Sequence, residues 1–527
     1  MTAKIDKIIL TNNTALTSKY GASGVRSVHA GIERLVVADR DRGLITRLIA
    51  IDDARAMREF WARAVTRGAD SRQNKQAVDD LYAALAPDYI LLLGSSDVIP
   101  QQPLRNPVYT TPKGDDDDPD ATGDLPYACE AGYGRDIGSF IGPTRVVGRL
   151  PDIAGANEPS YLLRLLRTAS AARPASPDAY RDHFALSAQI WEGSTRQSMR
   201  NIFGNSDGVL PVPPRSANWP ANLLEKRMHF INCHGASRAS EFFGQPASGK
   251  HQYPIALRAS QIAGKIARGT VAAAECCYGG QLPRRSPTHT RPGICETYLG
   301  SGAWGFVGSS TIAYGDFERN GDADLVCQYF FENVLASASL GRAFLEARQK
   351  FVRSVSPLHP LDLKTLAQFN LYGDPSIVAV STRGVDTSAR VMDIKTMRAQ
   401  RSARHDRRRV LFKQGTESSQ HEPISRRTAT TRTTSIKRSL YAKARQSKLK
   451  PKSIQSYAIR YRSPPQAMPR GLAQKSAAPT GYHILFCEPA VTARGATRRN
   501  PGVPNIIALI GKEVNGAVVS FARLENR

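Results

Sequence analysis

The chain has 527 residues, of which 72 are Lys or Arg, 46 are Asp or Glu and seven are Cys. This length allows about two to four domains with a large core, and seven cysteines over such a chain exclude the dense disulfide framework of a small secreted domain. The polar start MTAKIDKIILTNN and the lack of long apolar runs predict neither a signal peptide nor a membrane span, so we expect a cytoplasmic protein with reduced thiols and no membrane contact.

The formal net charge of +26 is concentrated near the end of the sequence. Residues 401–480 contain 20 Lys plus Arg against 3 Asp plus Glu, a net charge of +17, whereas residues 1–380 carry only about +4. Because the excess is local, the charge does not indicate that the globular part of the chain binds nucleic acid.

Residues 1–175 alternate short apolar runs with amphipathic helical patterns. The strand-like runs include KIIL, YILLLGSS and RVVGRL, and DDARAMREFWARAV has helical spacing. This alternation predicts an α/β subdomain with a mostly parallel sheet flanked by helices. Asp115 to Asp118 lie in a polar loop, which we expect to be a solvated acidic loop, with a Ca²⁺ site as the alternative.

Residues 176–384 repeat this pattern and form the predicted catalytic subdomain. HFALSAQIW, MHFINC, TVAAAEC and GAWGFVGSS are predicted to be buried strands, and DADLVCQYFFENVLAS and GRAFLEARQKFVRSV to be helices. In open parallel sheets the functional side chains gather beyond the carboxyl ends of the strands. His234, Cys277 and Ser309 all fall at such ends.

The remaining sequence divides into a linker and a small terminal unit. Residues 385–478 are rich in Arg, Lys, Ser, Thr, Gln and Pro, which predicts an extended or disordered basic linker. Residues 479–527 contain β-branched runs, and Asn515-Gly516 is a strong signal for a two-residue hairpin. We therefore expect a small β unit that docks on the rest of the chain.

The two strand ends at His234 and Cys277 could supply the groups that a cysteine peptidase needs. His234 can take the thiol proton, Cys277 can act as nucleophile, and the amides of Gly235 and Cys277 can hold the oxyanion. Side chains alternate along a strand, so only one of Cys276 and Cys277 should face His234.

These motifs resemble the caspase-like cysteine peptidases, most closely the gingipain type. YILLLGSSDVIP, DLPYA, VVGRLP, GAWGFVGSS and LYGDPSI resemble further segments of that family, in its order, over roughly residues 85–380. The resemblance implies a caspase-like sheet and an endopeptidase that forms an acyl-enzyme on Cys277 without a required cofactor. It also implies that Asp152 orients the imidazole and that Trp304 and Ser309 line the substrate pocket.

Other interpretations remain open at this point. The domain could be an inactive scaffold, or the basic linker could bind nucleic acid weakly or contact acidic proteins. A zinc site built from Cys233, His234, Cys276 and Cys277 is a further alternative, although adjacent ligands lack the usual two-residue gap. Arg284-Arg285 is either an autoprocessing site or an exposed loop.

Overall fold

The computed structural model describes residues 4–381 apart from 113, 250–251, 288–289, 318 and 356–357, together with residues 425–426, 433–458, 481–489, 503 and 505–527. Its strands are β1 (Lys7–Thr11), β2 (Thr46–Ala50), β3 (Tyr89–Leu93), β4 (Gln102–Arg105), β5 (Asp120–Gly123), β6 (Val147–Leu150), β7 (His183–Ala188), β8 (Val209–Val212), β9 (Met228–Asn232), β10 (Glu241–Phe243), β11 (Ile255–Arg258), β12 (Val271–Ala274), β13 (Gly305–Ser309), β14 (Tyr314–Asp316), β15 (Phe369–Gly373), β16 (Ser425–Arg426), β17 (Leu449–Ala458), β18 (Gly481–Pro489), β19 (Ile507–Val514) and β20 (Ala517–Asn526).

The described helices flank these strands. They are α1 (Asn13–Asp41), α2 (Ala54–Arg58), α3 (Ser71–Leu85), α4 (Ser160–Ser170), α5 (Glu192–Phe203), α6 (Ala221–Leu224), α7 (Ala259–Ile262), α8 (Ile294–Gly300), α9 (Asp322–Leu335), α10 (Leu340–Ser354), α11 (Pro360–Gln368) and α12 (Thr433–Gln446). Short 3₁₀ turns lie at Leu125–Ala128, Ile137–Phe140, Pro177–Tyr180 and Gln189–Trp191.

A ten-stranded sheet forms the centre of the molecule, in the order β2-β1-β3-β6-β15-β13-β12-β9-β7-β8. Neighbouring strands from β13 to β8 are parallel, as are those from β2 to β6, whereas β15 runs antiparallel to β13. The central strands are apolar and fully buried because helices cover both faces of a parallel sheet. The predicted α/β fold with a mostly parallel sheet flanked by helices is confirmed.

A second sheet of six antiparallel strands has the order β14-β20-β19-β18-β17-β16. Val514 pairs with Ala517 across the predicted hairpin turn, in which Asn515 and Gly516 both have positive φ. Apolar residues of α12, such as Leu440, pack on this sheet. Because β14 belongs to the segment that follows the central strand β13, the small sheet is docked on the main body, as predicted.

The predicted linker contains ordered elements. The helix Thr433–Gln446 and the strand Leu449–Ala458 lie inside the range 385–478, so the prediction of disorder is wrong for these two segments. The low apolar content concealed the strand, because only three of the ten residues of β17 are buried and its position depends on pairing with β18. Most of the remaining linker range lies outside the described residues.

Candidate functional site

The ends of two neighbouring parallel strands form the centre of the candidate site. Strands β9 and β12 pair in register, and the chain leaves β9 through Cys233 and His234 and leaves β12 through Glu275 to Cys277. A Cβ atom added to Gly235 would overlap the carbonyl oxygen of Cys277, so the two main chains are in direct contact. Only glycine, which has no Cβ atom, allows this approach, so the residue after His234 has to be a glycine.

Cys277 and Cys276 face different parts of the structure. The Cys277 thiol contacts the main chain of Ala313, 3.3 Å from its nitrogen and 3.5 Å from its oxygen. The Cys276 sulfur instead lies 3.9 Å from the carbonyl oxygen of Ile231, on β9. Burial raises the pKa of the Cys277 thiol to about 12, so the thiol is protonated at neutral pH in this enclosed state.

His234 is held on several sides. Its main chain exchanges two 2.8 Å hydrogen bonds with Phe243. Its ring lies between those of Trp191 and Tyr253, with centroid distances of 4.3 and 5.0 Å. The ring nitrogen Nε2 lies 2.7 Å from Oε1 of Gln245, which can only accept, so this bond requires a proton on Nε2. In the neutral ring, Nδ1 is then the basic nitrogen.

Two amide groups converge on one oxygen atom at the junction of the strand ends. The amide nitrogen of Cys277 lies 2.8 Å from the main-chain oxygen of Arg527, and that of Gly235 lies 3.4 Å from the same atom. These are the two donors that the sequence predicted for an oxyanion site. The structure therefore brings Gly235 and Cys277 together around a carbonyl-type oxygen.

His234 faces the same segment of chain from the other side. It lines a cavity of about 210 Å³ together with Gln245, Glu525 and Asn526. The thiol-bearing loop thus contacts Arg527 itself, and the imidazole borders the residues just before it.

The acidic run at Asp115 to Asp118 supports the loop that carries the nucleophile. Asp118 accepts hydrogen bonds from the hydroxyl of Tyr278 at 3.0 Å and from the amide of Ile312 at 2.8 Å. Asp116 is buried and pairs with Lys364 at 2.5 Å. The prediction of a solvated loop is wrong for Asp116, which is buried, and for Asp118, which accepts hydrogen bonds from the site loops, whereas Asp117 is exposed.

Asp152 lies apart from His234. Its carboxylate accepts hydrogen bonds from Lys19, Tyr20 and the amide of Ser95. In the sheet, strands β15, β13 and β12 separate β6, which precedes Asp152, from β9, which precedes His234. The structure thus places Gln245, and not Asp152, against the imidazole.

Trp304 and Ser309 lie at opposite ends of β13. The amide of Trp304 bonds to Thr270 at the amino end of β12, so this indole lies at the sheet edge opposite to Cys277. Ser309 lies at the site edge, but its hydroxyl bonds to the carbonyl of Thr311 and stabilises a turn. The aromatic wall beside His234 is Trp191, which the sequence analysis had assigned only to the end of a strand.

Among the described residues, the one group of side chains with metal-binding spacing is Asp322, His359 and Asp362, and it does not include Cys233, His234, Cys276 or Cys277. All seven cysteines are free and buried. Arg284 and Arg285 are exposed, which agrees with both the loop and the autoprocessing interpretations. Within the described part of the chain, no helix is both long and apolar enough to cross a membrane.

Comparison with known proteins gives likeness of fold only. No family model matches the chain, and no curated protein matches it. The Arg-specific cysteine proteinase gingipain R (RgpB) aligns over 99% of this chain and 98% of its own, with 11% identity and a TM-score of 0.46. The complex of Porphyromonas gingivalis RgpB pro- and mature domains gives a TM-score of 0.46 at 12% identity, over 98% of this chain and 99% of that chain.

A more distant likeness is to the Saccharomyces cerevisiae separase–securin complex. It has a TM-score of 0.32 at 13% identity and covers 57% of this chain and 17% of that chain. Scores at this level carry no functional argument.

Proposed function

We propose that the protein is a cysteine endopeptidase in which Cys277 is the nucleophile and His234 is the proton acceptor. The observation that carries this proposal is the convergence of the Gly235 and Cys277 amides on the main-chain oxygen of Arg527, at 3.4 and 2.8 Å. Two backbone donors aimed at one oxygen beside a thiol form the arrangement that stabilises a tetrahedral oxyanion.

The reaction follows from these positions. His234 removes the thiol proton, and the Cys277 sulfur attacks the carbonyl carbon of a bound peptide while the two amides bind the oxygen that becomes negative. The imidazolium then gives its proton to the leaving amine, and water hydrolyses the thioester. Because burial raises the pKa of the Cys277 thiol, this thiol needs a base such as His234 to react at neutral pH.

Gln245 is the positioning residue in this mechanism, in the role that the sequence had suggested for Asp152. Its side-chain oxygen fixes the protonated Nε2 of His234 and thereby keeps Nδ1 as the nitrogen that accepts the proton. A neutral amide orients the ring without holding it permanently as imidazolium. A protein or peptide substrate is the partner, no cofactor takes part in these steps, and a cytoplasmic location stays a prediction.

A thiol-reactive peptide probe tests the proposal against the alternative of an inactive scaffold. We expect covalent labelling of the wild type and of Cys276→Ala, and loss of labelling in Cys277→Ala. The neighbouring cysteine is the matched control, because its sulfur lies against β9 and not against Ala313. Equal labelling of all three proteins would reject Cys277 as the nucleophile.

The proton acceptor needs its own measurement. His234→Ala should keep the fold, as seen by circular dichroism, but should cleave a peptide library about 10²- to 10⁴-fold more slowly. Cleavage at the wild-type rate would remove His234 from the mechanism while leaving the thiol in place.

A further inference from the structure

The turn that follows the candidate nucleophile has an unusual backbone conformation. The amide of Gly279 bonds to the carbonyl of Cys276 at 3.0 Å, so residues 276–279 form a β-turn with Cys277 and Tyr278 at its central positions. Tyr278 has a φ of 54°, in the left-handed region where a bulky side chain is strained. A residue keeps such a conformation only where its surroundings hold it there.

Asp118 holds this turn through the side chain of Tyr278. Its Oδ1 accepts a hydrogen bond from the Tyr278 hydroxyl at 3.0 Å, while the amide of Tyr278 bonds to the carbonyl of Thr311 at 2.9 Å. Burial together with the charge of Asp118 raises the pKa of the Tyr278 hydroxyl, so the hydroxyl stays protonated and can serve as this donor. Tyr278 is therefore bound both at its main chain and at the end of its side chain.

The second oxygen of Asp118 contacts the segment beside the thiol. Its Oδ2 accepts from the amide of Ile312 at 2.8 Å. The nitrogen of the next residue, Ala313, lies 3.3 Å from the sulfur of Cys277. One carboxylate thus connects the turn after the nucleophile with the segment that the thiol contacts.

Asp118 is itself fixed by a buried anchor. Its amide lies 3.4 Å from Oδ1 of Asp116, and the side chain of Asn106 donates to that same oxygen at 2.9 Å and to the carbonyl of Asp118 at 2.8 Å. The buried Nζ of Lys364 lies 2.5 Å from Oδ2 of Asp116 and 3.7 Å from Oδ2 of Asp118. The loop between β4 and β5 therefore presents the Asp118 carboxylate in a defined position.

The conformation of the turn decides where the Cys277 amide points. This amide lies 2.8 Å from the main-chain oxygen of Arg527, at the place that the oxyanion takes in the proposed reaction. The Cys277 amide and the Cys276 carbonyl belong to one planar peptide group, and the hydrogen bond from Gly279 holds that carbonyl. If the turn opens, the group can rotate, and its N–H no longer faces the oxyanion.

We propose that Asp118 is a positioning residue of the peptidase. Through the Tyr278 hydroxyl and the Ile312 amide it keeps the turn at residues 276–279 closed, so that the Cys277 amide faces the oxyanion of the transition state. The inference rests on the proposed peptidase function. It adds a residue from the loop between β4 and β5, which acts on the reaction through the turn.

Steady-state kinetics of matched variants test this role. Asp118→Ala removes both hydrogen bonds, Asp118→Asn replaces the carboxylate by an amide of the same shape, and Tyr278→Phe removes only the hydroxyl. Asp117→Ala is the matched control, because it removes the same charge from an exposed neighbour in the same loop. The rate is expressed per site labelled by the thiol-reactive peptide probe, so unfolded molecules are not counted.

The variants should differ in kcat and not in KM. We expect Asp118→Ala to lower kcat by about 10- to 100-fold and Tyr278→Phe by about tenfold, with KM within about twofold of the wild type, because the lost contact acts in the transition state. Asp117→Ala should match the wild type. Equal kcat for Asp118→Ala and Asp117→Ala would overturn the inference.

Two further comparisons separate positioning from a general loss of charge. Asp118→Asn should keep most of the activity, because its amide can still accept from Ile312 and donate to Tyr278. The double variant of Asp118→Ala and Tyr278→Phe should be no slower than Asp118→Ala, since both changes break the same contact. A double variant slowed by the product of the two single effects would contradict action through Tyr278.

A peptide aldehyde tests the aim of the oxyanion donors. The Cys277 sulfur adds to the aldehyde carbon while the thiol proton passes to the carbonyl oxygen, which gives a thiohemiacetal that resembles the tetrahedral intermediate. We expect Asp118→Ala to weaken this inhibitor by about the factor that it takes from kcat. The matching peptide alcohol, which cannot form the adduct, should bind both proteins alike. Equal aldehyde affinity for wild type and Asp118→Ala would remove Asp118 from the positioning of the donors.

Hydrogen exchange keeps the inference testable without catalysis. Mass spectrometry of the fragment that contains residues 276–280 should show faster exchange in Asp118→Ala and Tyr278→Phe than in the wild type and Asp117→Ala. If no protein cleaves any peptide and Cys277 is not labelled, yet exchange follows this pattern, the peptidase proposal fails and the hold of Asp118 on the turn stands. If cleavage occurs and neither kcat nor exchange responds to Asp118→Ala, the role of Asp118 fails and the peptidase proposal stands.

Discussion

Arg149 and Arg527 are both fully buried arginines that pair with an aspartate, but their surroundings differ. Arg149 lies in β6 and donates two hydrogen bonds to Asp124, at 2.8 and 2.6 Å, and two more to the carbonyls of Gly94 and Ile99. Its three nitrogens are all engaged, and it joins β6 to the loops that follow neighbouring strands.

The contacts of Arg527 are concentrated at one atom. Its Nη2 makes every hydrogen bond to Asp324 and to Asp316, while within the described residues Nε and Nη1 have no hydrogen-bond partner. The flat face of the group rests on Trp191 instead. This arginine pocket of Asp316, Asp324 and Trp191 therefore matches the charge and the flat shape of the guanidinium group without forming a hydrogen bond to each of its nitrogens.

This difference separates an arginine that belongs to the core from one that is bound as a ligand. An interior arginine loses its water on folding, and hydrogen bonds to its nitrogens offset part of that cost. A subsite for exchangeable side chains must also release them, so it can leave donors unmatched. We therefore interpret Arg149 as structural and Arg527 as the occupant of a site.

The largest expected effect is on stability when the structural arginine is lost. Arg149→Met should lower the free energy of unfolding by about 3–5 kcal/mol, because it leaves the Asp124 carboxylate buried without its partner. Urea denaturation measures this. Arg527→Met should cost much less, since water can enter the emptied cleft and solvate Asp324. Equal losses for the two variants would remove the distinction between them.

The next effect concerns the reactivity of the nucleophile. With β20 paired to β14, the pKa of the Cys277 thiol is raised to about 12, so alkylation by iodoacetamide should stay slow until the pH is strongly alkaline. Arg527→Glu places a carboxylate against Asp324 and should expel β20, which moves the pKa down toward its ordinary value of about 8.5. We expect alkylation about tenfold or more faster at pH 7.5, measured against Cys277→Ala to subtract other thiols. An unchanged pH profile would contradict burial by this strand.

A moderate effect should distinguish the two tryptophans. Trp191→Leu removes the aromatic face beneath the guanidinium and should weaken the binding of benzamidine, a small cation that resembles a guanidinium, to Arg527→Gln by about 0.5–2 kcal/mol. Trp304→Leu should leave that affinity unchanged, because this indole lies at the opposite edge of the sheet. Calorimetric titration compares the two variants, and a matching loss for both would argue against Trp191 as the pocket wall.

The smallest effect is expected at an exposed arginine. Arg181 and Asp178 form a 3.2 Å ion pair, but their side chains are 77% and 79% exposed. Arg181→Ala should change the free energy of unfolding by less than about 1 kcal/mol, and less still in high salt. Thermal denaturation at two salt concentrations measures this change. It gives the effect of an exposed arginine, with which the effects at the buried Arg149 and Arg527 can be compared.

Local sequence signals predicted the centre of the site. The apolar runs before His234 and Cys277 predicted two buried strands, and the glycine after His234 indicated the close approach of main chains that the structure contains. The hairpin at Asn515-Gly516 was equally predictable, because few residues tolerate positive φ at both turn positions.

The position of Trp304 could also have been deduced. It precedes its strand, and in a parallel sheet a residue before a strand lies at the edge opposite to the functional ends.

The arginine pocket could not be found from local patterns. Trp191, Asp324 and Arg527 come from three distant parts of the chain and meet only after two sheets have docked. The contact between Gln245 and His234 could not be predicted from the spacing of residues either. It depends on the main-chain pairing of Phe243 with His234, which brings the following residues back to the imidazole.

The pairing of β14 with β20 has a kinetic consequence. The hydrogen-bonding edge of Tyr314–Asp316 can hold one strand at a time, so an incoming polypeptide must wait until the resident segment departs. Turnover would then begin with a lag whose duration depends on the opening of this edge and not on substrate concentration. Pre-incubation in a low concentration of urea, which favours separation of β20 from β14, would shorten that lag without changing the steady-state rate of cleavage.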